Sequence, residues 1–186
     1  MSIERNVFEW RRFGHWDSSA AKARLSAFVL WKSIDRSAEL GAECGHHGGD
    51  AGLALGEAFS RESAIAIELI VKAVIARRMQ KRGADPAKEG VPATHDVPQL
   101  WKTAGLPALD EIDTYRLHLV KQTLVWSGRY ATPRTPKAWE QENRELAAVE
   151  PRVEPTGRFR ARTPIGFSWD DFDRLYQIAD TELTHL

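Results

Sequence analysis

The stretch A-I-A-I-E-L-I-V-K-A-V-I-A, residues 64–76, constrains the fold more than any other part of the chain. It is apolar almost all the way round a helical wheel. A helix of this kind must be central and buried, because it has no face suited to water. Only Glu68 and Lys72 interrupt it. They stand at i and i+4 in the order that favours pairing along one face. Two roles fit such a pair: an ion pair at the edge of the core, or a polar device at a groove or subunit interface. Ser60 is the expected N-cap of this helix and Gly83 its terminator. Arg77, Arg78, Lys81 and Arg82 crowd its C-terminal end. Cations there complement the helix dipole and need no ligand to explain them, although the cluster would also suit a phosphate.

Other helical patterns surround it. Asp17 is the expected N-cap of a first helix and Gly41 its C′ residue, with Leu25, Phe28 and Val29 at helical spacing and Trp31 and Ile34 beside them. Residues 42–52, A-E-C-G-H-H-G-G-D-A-G, are too rich in glycine to hold a helix and are expected to form a solvated loop. Glu43, Cys44, His46, His47 and Asp50 lie in it. Adjacent loop histidines lack the fixed i, i+4 geometry of helical zinc sites, so no metal and no cofactor are expected.

T-H-D-V-P-Q-L-W, from Thr94 to Trp101, reads as a short helix capped by Thr94 or Asp96, with Pro98 in its first turn. His95 sits at that cap, where a ring nitrogen would satisfy a backbone group. A third long helix spans residues 109–127. Ile112, Tyr115, Leu119 and Trp126 form one stripe and Leu117, Val120 and Leu124 a second, while Gly128 is the expected end. Thr135 and Pro136 open a short surface helix. Ser168 caps a final helix with Trp169, Phe172, Tyr176, Ala179 and Leu183 on one face.

There is no internal repeat and no strand pairing. The expected fold is an all-α bundle, one domain over 1–186, with 1–16 as an N-terminal extension and 134–165 as an insertion that decorates the connection before the last helix.

Charge narrows the partners. Lys plus Arg equals Asp plus Glu at 26 each, so no global field draws nucleic acid or membrane. A local patch would be needed. The lone Cys44 fits a reducing compartment. No apolar run reaches the roughly 18 residues of a membrane span, and the opening MSIERNVFEWRRFG has no signal-peptide core. A soluble cytoplasmic protein with no membrane partner is expected.

The order of these elements resembles a known family. E-S-A-I-A-I-E-L-I-V-K-A-V-I-A, then T-H-D-V-P-Q-L-W, then a long helix ending W-S-G-R-Y-A-T-P, then an amphipathic terminal helix, is similar to HEPN-domain proteins over roughly residues 18–186. The pieces that carry the likeness are E-L-x-x-K-A and H-D-x-x-x-L. The resemblance implies a four- to five-helix bundle and a homodimer. It also implies work on RNA: many members are ribonuclease toxins or effectors in toxin–antitoxin, phage-defence and CRISPR systems. Others bind RNA or assemble complexes without cutting, and some act beside a nucleotidyltransferase-type partner.

The family's metal-independent ribonucleases use Arg-x(4–6)-His, with two copies meeting across the dimer. Here the motif is absent. None of His15, His46, His47, His95, His118 and His185 follows an arginine at that spacing, and Arg129 is followed by Y-A-T-P-R-T-P. The expected function is therefore noncatalytic RNA binding or assembly in a toxin–antitoxin or defence-type system. Arg129, Tyr130, Arg134, Arg158, Arg160 and Arg162 would contact phosphates and stack bases. Their segment, 129–162, holds eight Lys/Arg against five Asp/Glu. Two alternatives stand beside this. One is a ribonuclease built from His118, Arg116 and Arg129, with His118 of one subunit meeting Arg129 of the other. The other is a protein-interaction module working through Trp/Tyr-rich helix surfaces.

Overall fold

Residues 64–76 lie inside a 34-residue helix around which the other helices pack. The structure is a computed structural model that describes residues 13–127, 135–151 and 167–186. Among these residues every regular element is helical. In chain order they are α1 (Phe13–Ile34), α2 (Ser37–Glu43), α3 (Gly48–Lys81), α4 (Pro86–Glu89), α5 (Val97–Thr103), α6 (Glu111–Gln122), a π-helical turn (Thr123–Ser127), α7 (Pro136–Val149) and α8 (Trp169–His185). No helix among the described residues is long and apolar enough to cross a membrane.

α1 and α3 pack as an antiparallel hairpin. Trp16 meets Lys72 near one end of the pair, and Trp31 meets Phe59 further along, with ring centroids 5.0 Å apart. α1 presents Ala20, Ala23 and Ala27 inward. Small residues at this spacing let two helices approach closely. The other wall is α8, whose Phe172, Leu175, Tyr176 and Ala179 are buried. Each large apolar side chain so buried contributes about 1.5–3 kcal/mol. Phe172 is the hub of an aromatic cluster with Phe59, Phe167, Trp169 and Tyr176. Ser168 caps α8 through a reciprocal capping box with Asp171, as its sequence implies.

Several boundaries differ from expectation. α1 opens at Phe13, so Asp17 lies within the helix rather than at its cap, and residues 13–16 belong to the bundle. The helix breaks at Asp35–Arg36, and Gly41 is buried inside the separate helix α2. The glycine-rich loop is largely not a loop. Only Cys44–His47 connect α2 to α3, which begins at Gly48. Ser60 is consequently inside α3, where its hydroxyl donates to the Gly56 carbonyl at 2.9 Å.

The reason is tertiary. A Cβ on Gly48 would stand 2.8 Å from the Ala38 backbone, and one on Gly41 would stand 3.1 Å from Ala51. These glycines serve helix-to-helix contact, which outweighs their poor helix propensity. Gly83 does end α3, at φ 77°. Of the two expected stripes, Leu117 and Val120 of α6 and Leu124 of the π-helical turn are buried, as is Tyr115 of the other stripe, while Ile112 is exposed.

Candidate functional site

Glu68 and Lys72 form the expected pair, with Lys72 Nζ donating to Glu68 Oε1 at 2.5 Å. The pair is not at the edge of the core. Glu68 is 7% exposed and Lys72 5%. Two ions taken out of water need further partners. Glu68 obtains one from α5: His95 Nδ1 lies 3.1 Å from Glu68 Oε2. Lys72 Nζ also lies 5.6 Å from the centre of the Trp16 ring, whose face suits a cation. With Nδ1 turned to a carboxylate, His95 carries a proton on that nitrogen.

His95 is held by the turn before α5. Asp96 caps that helix by accepting from the Gln99 amide, while its own amide is bonded by Thr94 Oγ1 at 3.0 Å. Asp96 also faces α6, where Lys121 Nζ stands 3.6 Å from Asp96 Oδ2 and 3.1 Å from Glu145 Oε2 of α7. His118 lies one turn before Lys121 on the same helix face. Burial, with Lys121 adding to it, holds His118 below the usual 6.5, so its ring is neutral at pH 7. The turn before α5 thus carries a member of each of two polar groups: His95 with Glu68 and Lys72, and Asp96 with Lys121 and Glu145, near His118.

A second network ties α6 to α8. Asp113 is 4% exposed. Arg116 bonds it at 2.9 Å and reaches Asp171 at 2.8 Å, and Arg174 bonds Asp113 from the other side. Arg174 first, and Arg116 with it, hold the Asp113 carboxyl below the usual carboxylate range against the effect of burial.

No family model, curated protein or solved structure matches the chain. The site is thus read from its own geometry. Arg129, Tyr130, Arg134, Arg158, Arg160 and Arg162 lie outside the described residues, as does the expected helix end at Gly128. Of the catalytic candidates, Arg116 is engaged with two carboxylates, and His118 sits with Lys121. The two are on separate networks. His95 faces a side-chain carboxylate instead of the backbone group expected for it. The signal was present in E-L-x-x-K-A and H-D-x-x-x-L, the two motifs of the family resemblance, which supply all three members of the cluster. Among the described residues no three His, Cys, Asp or Glu side chains group to hold a metal.

Proposed function

We propose that this chain is a HEPN-like protein that binds RNA or assembles with a partner, in a toxin–antitoxin or defence-type setting, without cutting RNA. One observation carries the reading. Glu68, Lys72 and His95, on which the family resemblance rests, share one hydrogen-bonded cluster although His95 stands on a different helix-capping turn, far along the sequence from Lys72. The engagement of Arg116 by Asp113 and Asp171 favours binding over cleavage, since a guanidinium so held has less freedom to follow a phosphate. Exposed Leu25 (64%) and Val29 (55%), one turn apart on α1, give an apolar strip suited to assembly as a homodimer or with a nucleotidyltransferase-type partner.

The test is binding of a single-stranded RNA by the full chain as salt is varied. Affinity should fall steeply with salt, and replacing Arg129, Arg134, Arg158, Arg160 and Arg162 by glutamine should flatten the slope. Binding with no salt slope would sink the RNA reading and leave assembly.

The neutral state of His118 favours a second reading, because a neutral imidazole is what a general base requires. Incubation with tRNA in EDTA decides between them. Cleavage that disappears in His118→Ala establishes a ribonuclease and overturns the first reading.

A further inference from the structure

Where α6 passes into the π-helical turn, a partly open cleft of about 200 Å³ lies between that junction, α3 and the chain just before α8. Leu119, Val120, Gln122 and Thr123 line it from α6 and the turn, Ser60 from α3, and Phe167 from the residue preceding the α8 cap. Three segments far apart in sequence thus share one concavity. π-helical turns are rare and recur at functional sites, and this one begins at the cleft wall with Thr123. The Phe167 ring is held in place by Phe59 and Phe172, with ring centroids 6.5 and 6.4 Å away.

Size limits the occupant. Sites for drug-sized ligands measure about 300–1,000 Å³, whereas an apolar cavity of about 150 Å³ takes a single benzene ring. The cleft therefore suits one six-membered ring with small substituents and is short of room for a fused purine. Polar groups limit it further. Ser60 and Thr123 spend their hydroxyl protons on carbonyls one turn back, Gly56 at 2.9 Å and Leu119 at 3.0 Å. What their oxygens retain is acceptor capacity. The Gln122 side chain makes no hydrogen bond among the described residues, and its amide offers both donors and an acceptor. A ring edge that answers this set carries an N–H beside a carbonyl or ring acceptor.

We propose that this cleft binds one pyrimidine base, with its face on the Phe167 ring, its polar edge on the Gln122 amide, and its N–H accepted by Ser60 or Thr123. Leu119 and Val120 supply the apolar wall. A base stacked on an aromatic ring and read along one edge is a common mode of recognition for single-stranded RNA. The site uses neither Arg116 nor His118, so it adds base preference to binding without cleavage. As an RNA contact it rests on the RNA-binding reading; as a nucleoside site it stands apart from it.

The experiment follows the Gln122 side-chain amide signals of the full chain by NMR, assigned by their loss in Gln122→Met. Uridine, uridine methylated on its ring N–H, and adenosine are titrated in turn. Uridine should move the signals to saturation. The methylated nucleoside should need about tenfold more to reach its half-point, because it leaves polar groups of the cleft unpaired. Adenosine, with its fused rings, should also bind about tenfold more weakly. In Phe167→Leu, with the fold checked by circular dichroism, the uridine half-point should rise at least about fivefold as stacking is lost. Signals that stay still with uridine, or equal half-points for uridine and either other nucleoside, would overturn the proposal. A further titration uses a short oligouridylate. If uridine moves the signals and oligouridylate does not bind, the nucleoside site stands and the RNA reading fails. If oligouridylate binds while the Gln122 signals remain fixed in every titration, the site fails and RNA binding through the basic segment survives.

Discussion

Replacing Lys72 by methionine tests the account of the core most directly. The side chains are similar in length, so the change removes the ammonium with little change in packing. The attraction lost is about 7 kcal/mol at the 2.5 Å separation, taking an effective dielectric of about 20. That attraction had offset several kcal/mol of desolvation for each ion. Glu68 would then be a buried carboxylate with His95 as its remaining side-chain partner, and a net loss of about 3–5 kcal/mol is expected. Glu68→Met should lose a similar amount by stranding the lysine. The double variant has no ion to strand and should lie near wild type or above it by about 1–4 kcal/mol. Urea unfolding of the four proteins at neutral pH, followed by helical circular dichroism, closes the cycle. A loss below about 1 kcal/mol for Lys72→Met, or a double variant as unstable as the two singles summed, would refute the burial argument.

Three further outcomes are expected. Gly48→Ala should lose about 1–3 kcal/mol, measured by urea unfolding, because its Cβ would stand 2.8 Å from the Ala38 backbone. Ser63→Ala should be neutral or gain up to about 1 kcal/mol in the same assay. Its hydroxyl is fully buried without a hydrogen-bond partner among the described residues, and alanine is the better helix former. The third concerns pH. His118 is held below 6.5 in the fold, so the unfolded chain binds more protons. The stability it supports is fully present above 6.5 and is lost as pH falls through the lower folded value. His118→Phe should therefore shrink the difference in unfolding free energy between pH 7 and pH 5; an unchanged difference would place the titration elsewhere.

Local grammar was legible where local interactions decide. The Ser168 capping box, the Asp96 cap and the glycine at 83 are contacts within a few residues, and each lies where its neighbours imply. The apolar run 64–76 announced a central helix for the same reason. The region 42–52 misled because its glycines answer to Ala38 and Ala51 across a helix pair, and no local rule carries that information. His95 was misread likewise. Its partner Glu68 is 27 residues away, and only the resemblance set the two motifs side by side. The basic residues chosen for RNA, from Arg129 to Arg162, lie outside the described residues, so that choice still rests on the sequence.

The close seam between α2 and the start of α3 has a consequence for how the molecule opens. In α3 no side chain of residues 48–58 is fully buried, whereas from Phe59 to Met79 the helix lines the core. In α2 only Gly41 is buried. The tip is held chiefly by fit between backbones, and the body by apolar area. Segments with few buried side chains open locally at small free-energy cost, while core helices open only with the whole. In hydrogen exchange, amides of 52–58 should be released by such local openings, and those of 64–79 only by global unfolding. α3 is one rod in shape and two units in stability, with a tip able to detach and re-dock while the buried ion pair stays dry.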